Sequence, residues 1–148
     1  MSGIIVGVDG SGHSQRALAF AMHEAAIRGV PLTVLTVHEA VRGYYADMAV
    51  YADDPARTEE ARLAAQAETD KVLAGLDQPR PDPESVTVTA VHGFVVDELI
   101  NAAAGADMLI VGSRGAGGFT RLMMGSVAGQ VAQHAHCPVL LIPPQNRD

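Results

Sequence analysis

Four glycines and a Gly-Ser step carry the chemistry this chain is equipped to do. They stand as Gly112-Ser-Arg-Gly115-Ala-Gly117-Gly118-Phe-Thr-Arg-Leu-Met-Met-Gly125-Ser126, after the apolar run Met108–Val111 and at the start of an amphipathic stretch. An apolar run, a glycine-rich turn and a helix start together form the arrangement in which backbone N–H groups and the positive end of a helix converge on a phosphate. The spacing from Gly112 to Gly115, then over nine residues to Gly125 with Ser126 beside it, is more than turn chemistry alone demands. Ser126 serves equally as a helix cap and as a phosphate ligand, because both roles use the same hydroxyl and N–H groups. The stretch contains no lysine, and the chain's single lysine is Lys71. A P-loop hydrolase needs a lysine that reaches the β- and γ-phosphates, so the stretch reads as a nucleotide cradle without cleavage machinery.

Other reactive residues are few. Asp9 closes the β-branched run Gly3–Val8 at Asp9-Gly10-Ser11-Gly12, where a carboxylate either meets a ligand or forms an Asx-type turn. Asp9 and Glu39 are acids that could hold a Mg²⁺ ion. His134 and His136 lie two apart in a helical pattern, which points them to different faces, and no Asp, Glu or Cys cluster completes a metal site. His38 reads as an edge histidine near a strand end. Cys137, the one cysteine, permits no intrachain disulfide and reads as a small hydrophobe at the start of the last apolar run.

The net charge of -7, with no cluster of Lys and Arg, argues against nucleic acid as a partner. Aromatic residues are scarce and Trp is absent, so there is no stacking platform for single strands. No apolar run approaches the roughly 20 residues of a membrane helix and the N-terminus lacks a signal pattern, so a soluble, cytoplasmic protein is expected, without a membrane partner. At 148 residues the chain is expected to be one domain over 1–148.

The elements that must position these residues alternate. Runs 3–8, 32–37, 85–91, 108–111 and 137–142 read as strands. Stretches after Ser14 (taken as the helix cap), from about Arg57 to Leu76, over 95–104 and over 126–136 read as helices. In the second helix Ala61, Ala65, Val72 and Leu76 fall on one face, and Glu59, Glu60, Glu68 and Asp70 on another. Residues 39–55 show no clean period and read as a long connection; Pro79, Pro81 and Pro83 form an extended connector. Strict alternation of strand and helix predicts an α/β fold, a doubly wound five-stranded parallel sheet with helices on both faces. Such a sheet binds ligands at the carboxyl ends of its strands, where the winding reverses. If the first and fourth strands are neighbours there, the Asp9 turn and the Gly112 loop face each other.

At this point the chain resembles the universal stress protein family, in its branch with the ATP-binding pattern Gly-x2-Gly-x9-Gly-Ser/Thr, which Gly112 to Ser126 matches without departure. Ile4-Ile-Val-Gly-Val-Asp9-Gly-Ser, Leu32-Thr-Val-Leu-Thr-Val-His38 and His134-Ala-His-Cys-Pro-Val-Leu-Leu-Ile142 resemble their family counterparts. The resemblance implies a Rossmann-like domain with strand order 3-2-1-4-5 that binds ATP. It further implies that the loop at Gly112, Ser113, Arg114, Gly115, Gly117 and Gly118 wraps phosphates and ribose, and that Gly125, Ser126 and Val127 hold phosphate at the helix start. It places Gly7 and Asp9 beside the adenosine, and the main chain of Val37 at the adenine edge. It also implies a homodimer through Pro138–Ile142.

The expected function is nucleotide sensing or regulation in a stress response, with little or no intrinsic catalysis. The alternative is a slow ATPase or nucleotide-transferring enzyme on the same fold. Dinucleotide binding is a third reading, with Glu39 as the ribose acid, but the Asp9–Ser14 turn lacks the third glycine of that fingerprint.

Overall fold

Strand β1 (Ile4–Val8) is the centre of the molecule. It is flanked by β2 (Leu32–Glu39) and β6 (Met108–Gly112), and the outer positions belong to β5 (Val86–Gly93) and β7 (Val139–Ile142). Every pairing in this sheet is parallel, with Ile4 opposite both Leu32 and Met108. Counted among its own five strands, the order is 3-2-1-4-5, as the resemblance implied. The computed structural model describes residues 3–39, 54–77, 81–114 and 125–144, together with the backbone of 41–45 and 48–52.

Side-chain alternation along each strand divides the core in two. Ile4, Val6, Leu32, Val34 and Ile110 face helix α1 (Gly12–Arg28), through Ala17, Leu18, Ala21, Met22 and Ala25, and helix α2 (Pro55–Gly75), through Val72 and Leu73. Ile5, Leu35, Leu109 and Val111 face helix α3 (Val95–Ala102), through Leu99, and helix α4 (Ser126–His134), through Ala128 and Val131. Burial on both faces is why these strands read as largely apolar runs.

Three local expectations are corrected. Helix α1 is capped by Ser11, whose Oγ accepts from the Ser14 N–H, so Ser14 lies one turn inside the helix that it was expected to begin. The Ser14 hydroxyl donates instead to the Ser11 carbonyl. Helix α2 begins at Pro55, two residues before the predicted start. Asp54 Oδ1 accepts from the Ala56 and Arg57 N–H groups, and proline is suited to the first helical position because its missing N–H has no acceptor there. The stretch read as an irregular connection contains an antiparallel hairpin, β3 (Val41–Tyr45) and β4 (Met48–Ala52), with Gly43 opposite Val50. Tyr and Val favour extended backbone, and a two-strand ribbon is too short to show a clear period.

Helix α2 also buries Thr69 completely, a polar residue made compatible with the core by donating its hydroxyl to the Ala65 carbonyl at 2.7 Å. Among the described residues no helix is long and apolar enough to cross a membrane.

Candidate functional site

The site begins where β1 ends, before β2 does and level with Gly112 at the end of β6. The bonds from Ile4 N–H to the Pro31 carbonyl and from Leu32 N–H to the Ser85 carbonyl set the parity of β2. Its odd residues turn their main chain toward β1 and its even ones toward β5. The last pair of β1 with β2 is Val8 with Thr36, so the Val37 carbonyl points into the space β1 leaves when it turns at Asp9. On the other flank, the Leu109 and Ser113 N–H groups donate toward β7, to Pro138 and Ile142, so the main chain of Gly112 between them faces β1. The two flanks lie two strand spacings apart, about 10 Å. The expected switch in winding direction is therefore a crevice above Asp9, between Val37 and Gly112.

Asp9 organises the floor of that crevice. Its Oδ1 accepts from the Ser11 N–H at 2.9 Å and the Ser11 hydroxyl at 2.6 Å, and its own N–H donates to Ser14 Oγ. This is an Asx-type turn, the plainer of the two roles that the sequence left open, and it positions an exposed carboxylate at the mouth of the crevice.

Gly112 lies against the start of α1. A Cβ there would stand 3.1 Å from the Arg114 carbonyl oxygen and 3.2 Å from that of His13, both backbone atoms. Gly112 thus lies against the first turn of α1, the helix that follows the Asp9 turn, and the two loops stand at the same end of adjacent strands, as expected. Gly112→Ala is expected to force strand and helix apart and to cost about 1–3 kcal/mol. For a chain of this length that lowers the melting temperature by roughly 2–4 °C per kcal/mol, readable by circular dichroism.

The loop returns to the sheet at Gly125, whose N–H donates to the Ser113 carbonyl at 2.6 Å. The first bond inside α4 runs from Gly129 N–H to the Gly125 carbonyl, so the N–H groups of Ser126, Val127 and Ala128 precede the helical ladder. Gly125 supplies no side-chain cap, and no acidic residue occupies the first turn. Ser126 Oγ accepts from the Gln130 amide at 3.0 Å, which leaves its own hydrogen to donate. Val127 packs its side chain into the second core, so only its N–H serves the helix start. Arg114 follows Ser113, the residue bonded to Gly125, and the helix start presents the positive end of its dipole on this flank. Gly115, Gly117 and Gly118 lie outside the described residues.

On the other flank a cavity of about 260 Å³ opens between α1 and α2. Val8, Leu18, Thr36, Ala61, Ala64 and Ala65 give it an apolar body, and Asp9, Gly10, Ser14, Gln15 and Glu68 give it a polar rim. Its lining carries two carboxylates and no Lys or Arg. Of the sequence-nominated residues only Asp9 lines it. Sequence reasoning missed Gln15 and Glu68. Glu68 was assigned to a different face of α2 from Ala61 and Ala65, yet residues 61, 64, 65 and 68 share one face at three- and four-residue steps, and that face meets α1. Gln15 Nε2 donates to Glu68 Oε2 at 2.6 Å across the gap. The small alanines are the signal that was available, since they leave room where larger residues would close the helices together.

Gly7 has a packing role. A Cβ there would meet Leu99 Cδ2 at 2.9 Å and Val111 Cγ1 at 3.2 Å, on the α3 side of the sheet. His38 stands in register with His92 of β5, their rings tilted and 5.5 Å apart, so its observed contact is with the outer strand. Cys137 is half-buried beside the second core; desolvation pushes its thiol pKa up, against a smaller downward effect of a backbone hydrogen bond from Leu109. His134 is the last residue of α4 and His136 lies beyond it, correcting the expectation that both stand in the helix. Among the described residues no group of three or more His, Cys, Asp or Glu side chains is placed to hold a metal ion.

A parallel 3-2-1-4-5 sheet with a crevice at the reversal, flanked by an uncapped helix start, defines an α/β protein of the Rossmann-like class. Residues 1–143 match the universal stress protein family, and the chain belongs to that family. It is 33% identical to a universal stress protein of Thermus aquaticus, over 94% of this chain and 96% of that protein. It is 32% identical to one of Mycobacterium tuberculosis, over 98% of this chain but 49% of that protein. The chain thus spans about half the length of the mycobacterial relatives it matches. Among solved structures it is similar to a universal stress protein in complex with cAMP (26% identity, TM-score 0.63, 96% of each chain). It is also similar to the universal stress protein of Archaeoglobus fulgidus in complex with dAMP (26% identity, TM-score 0.59, 96% of this chain and 98% of that one).

Proposed function

We propose that the protein binds an adenine nucleotide, ATP in particular, across the crevice above Asp9 and acts as a sensor or regulator with little or no intrinsic catalysis. The observation that carries this reading is the division of charge between the two flanks. The α1–α2 cavity is apolar with a carboxylate rim, which suits an uncharged base and ribose and repels phosphate. The α4 start has free helical N–H groups, a hydroxyl and no acid, which suits phosphate and nothing anionic of its own. A separation of about 10 Å between the flanks is on the scale of one nucleotide.

In this reading the Val37 carbonyl meets the base edge and Asp9 lies beside the ribose. Gly112, Ser113, Arg114, Gly115, Gly117 and Gly118 wrap the phosphates that Gly125, Ser126 and Val127 anchor, while Gly7 sits below in the sheet. A Mg²⁺ ion accompanying ATP would draw most of its ligands from phosphate oxygens and water, as Mg²⁺ commonly does, with Asp9 the nearest protein acid. The cAMP and dAMP complexes of the two similar proteins support an adenine ligand. Isothermal titration with ATP, ADP, AMP and cAMP tests the reading. Saturable one-site binding is expected, and the absence of binding by all four ligands would remove it.

The same reading includes a homodimer through Pro138–Ile142. β7 lies at the sheet edge, and since Pro138 and Ile142 turn their carbonyls to β6, the main chain of Val139 and Leu141 faces outward. An outward row of N–H and C=O groups on an apolar strand is a template for a second copy related by a two-fold axis. Leu141→Pro removes one outward donor and is expected to reduce the mass in light scattering from that of a dimer to that of a monomer. An unchanged dimer mass would place the interface elsewhere.

A further inference from the structure

We propose that Glu68, held in place by Gln15, is the residue through which the α1–α2 cavity selects its base, by accepting a hydrogen bond from the exocyclic amine of an aminopurine. The inference rests on the adenine-nucleotide reading above and adds to it a specificity determinant on α2, an element that carries none of the residues nominated for the site from sequence.

The cavity's wall on the α2 side is Ala61, Ala64, Ala65 and Glu68, one face of a single helix. Three of these four are methyl groups, which make contact with a planar ring but give it no direction. Orientation therefore falls to the polar members of the lining. Ser14 is committed to its own turn, its hydroxyl donating to the Ser11 carbonyl and accepting from the Asp9 N–H. Asp9 Oδ1 is committed to the Ser11 N–H and hydroxyl. Thr36 lies on the β2 floor.

Glu68, like Asp9, is fixed by a neighbour without being used up, and unlike the exposed Asp9 it is half-buried in the α2 wall. Its Oε2 takes the short bond from the Gln15 amide, and that bond sets the side chain's direction across the α1–α2 gap. A carboxylate accepts about four hydrogen bonds, so Glu68 retains capacity for a donor presented from the cavity. It is half-buried, where a bond to a charged acceptor is stronger than at an open surface. The base edge that such an acceptor reads is one bearing an amine. On the β2 side the Val37 carbonyl is a second acceptor aimed into the same crevice, so both flanks of the base-binding region ask for donors. A base lacking the amine leaves the Glu68 charge partly desolvated with nothing to replace its water, which is how a buried polar group rejects a ligand missing its partner.

The test pairs a deletion in the ligand with deletions in the protein. AMP and purine riboside 5′-monophosphate, in which hydrogen replaces the 6-amino group, are titrated into the wild type, Glu68→Ala, Glu68→Gln and Gln15→Ala. The wild type is expected to prefer AMP by about 10- to 100-fold. The preference should fall severalfold in Glu68→Ala, to what the Val37 carbonyl alone supplies, be partly kept in Glu68→Gln, whose amide oxygen still accepts, and weaken in Gln15→Ala, where the carboxylate loses its fixed direction. A residue that only props the helices apart would lower both affinities together and leave their ratio unchanged. An unchanged ratio in Glu68→Ala, or in Glu68→Gln and Gln15→Ala together should the alanine variant fail to fold, overturns the inference, as does a wild-type ratio near one. Failure of the wild type to bind either ligand overturns the inference, and, where ATP, ADP and cAMP fail as well, the adenine-nucleotide reading itself.

Discussion

Ser126→Asp is expected to weaken ATP binding by about two orders of magnitude while leaving the ligand-free protein slightly more stable. The two effects share one cause. The first turn of α4 holds no acid and its N–H groups lie ahead of the helical ladder, so a carboxylate there gains from the helix dipole, typically 0.3–1 kcal/mol. The same carboxylate competes with phosphate for those donors and repels it. At about 4 Å and an effective dielectric near 20, like charges oppose each other by about 4 kcal/mol, more than the 2.7 kcal/mol that a hundredfold loss requires. Ser126→Ala removes only the hydroxyl and should cost nearer tenfold. Calorimetric titration gives the affinity and a melting curve without ligand gives the stability. A loss of stability alongside the loss of binding would mean that the variant damaged the helix, and an unchanged affinity would take the α4 start out of the site.

The largest effect on stability is expected from Gly7→Val, a loss of about 3 kcal/mol, out of the 5–15 kcal/mol typical of a domain. Gly7 is in the central strand, and a Cβ there would come within 2.9 Å of Leu99, which is 3% exposed and has no route to solvent. Gly7→Ala should cost less, and combining it with Leu99→Ala separates crowding from everything else. Leu99→Ala alone leaves a cavity and costs about 2–5 kcal/mol. In the double variant the new methyl occupies part of that cavity, so the two costs should add to less than their sum by 0.5 kcal/mol or more. Guanidinium unfolding measures all three, with the midpoint moving and the slope preserved. Strict additivity would show that crowding against Leu99 of α3 is not what requires glycine at position 7, and a folded Gly7→Ala protein with normal ATP affinity would confine the residue to the scaffold.

Much of this architecture was legible in the chain because the parallel sheet is buried on both faces. Ile4–Val8 and Met108–Val111 are apolar throughout and Leu32–Val37 is interrupted only by Thr33 and Thr36 for that reason, and their alternation with helices leaves few topologies open. That the Asp9 turn and the Gly112 loop stand at the same end of adjacent strands followed from the topology without any knowledge of side chains. What could not be read was set by neighbours remote in sequence. Glu68 resembles any solvent-facing glutamate until α1 brings Gln15 to it, 53 positions away. Ser11 and Ser14 are both good caps, and the choice between them was made by the Asp9 carboxylate, which holds Ser11 in the extended conformation a cap requires. The β3–β4 hairpin has alternation too brief to stand out, and its partner strand is its own continuation.

The shortness of β1 has one more consequence. β1 is five residues long beside the eight of β2, and the gap this difference opens lies on the most interior strand of the sheet. A ligand seated there touches the part of the chain that unravels last, so its release and global unfolding draw on the same core. Occupancy then becomes a measure of survival: at a hundred times the dissociation constant, a bound ligand adds about 2.7 kcal/mol against denaturation. That lowers the population of unfolded chains open to proteases by about a hundredfold. The abundance of the protein in a cell would follow its nucleotide supply through turnover alone, with no change in synthesis.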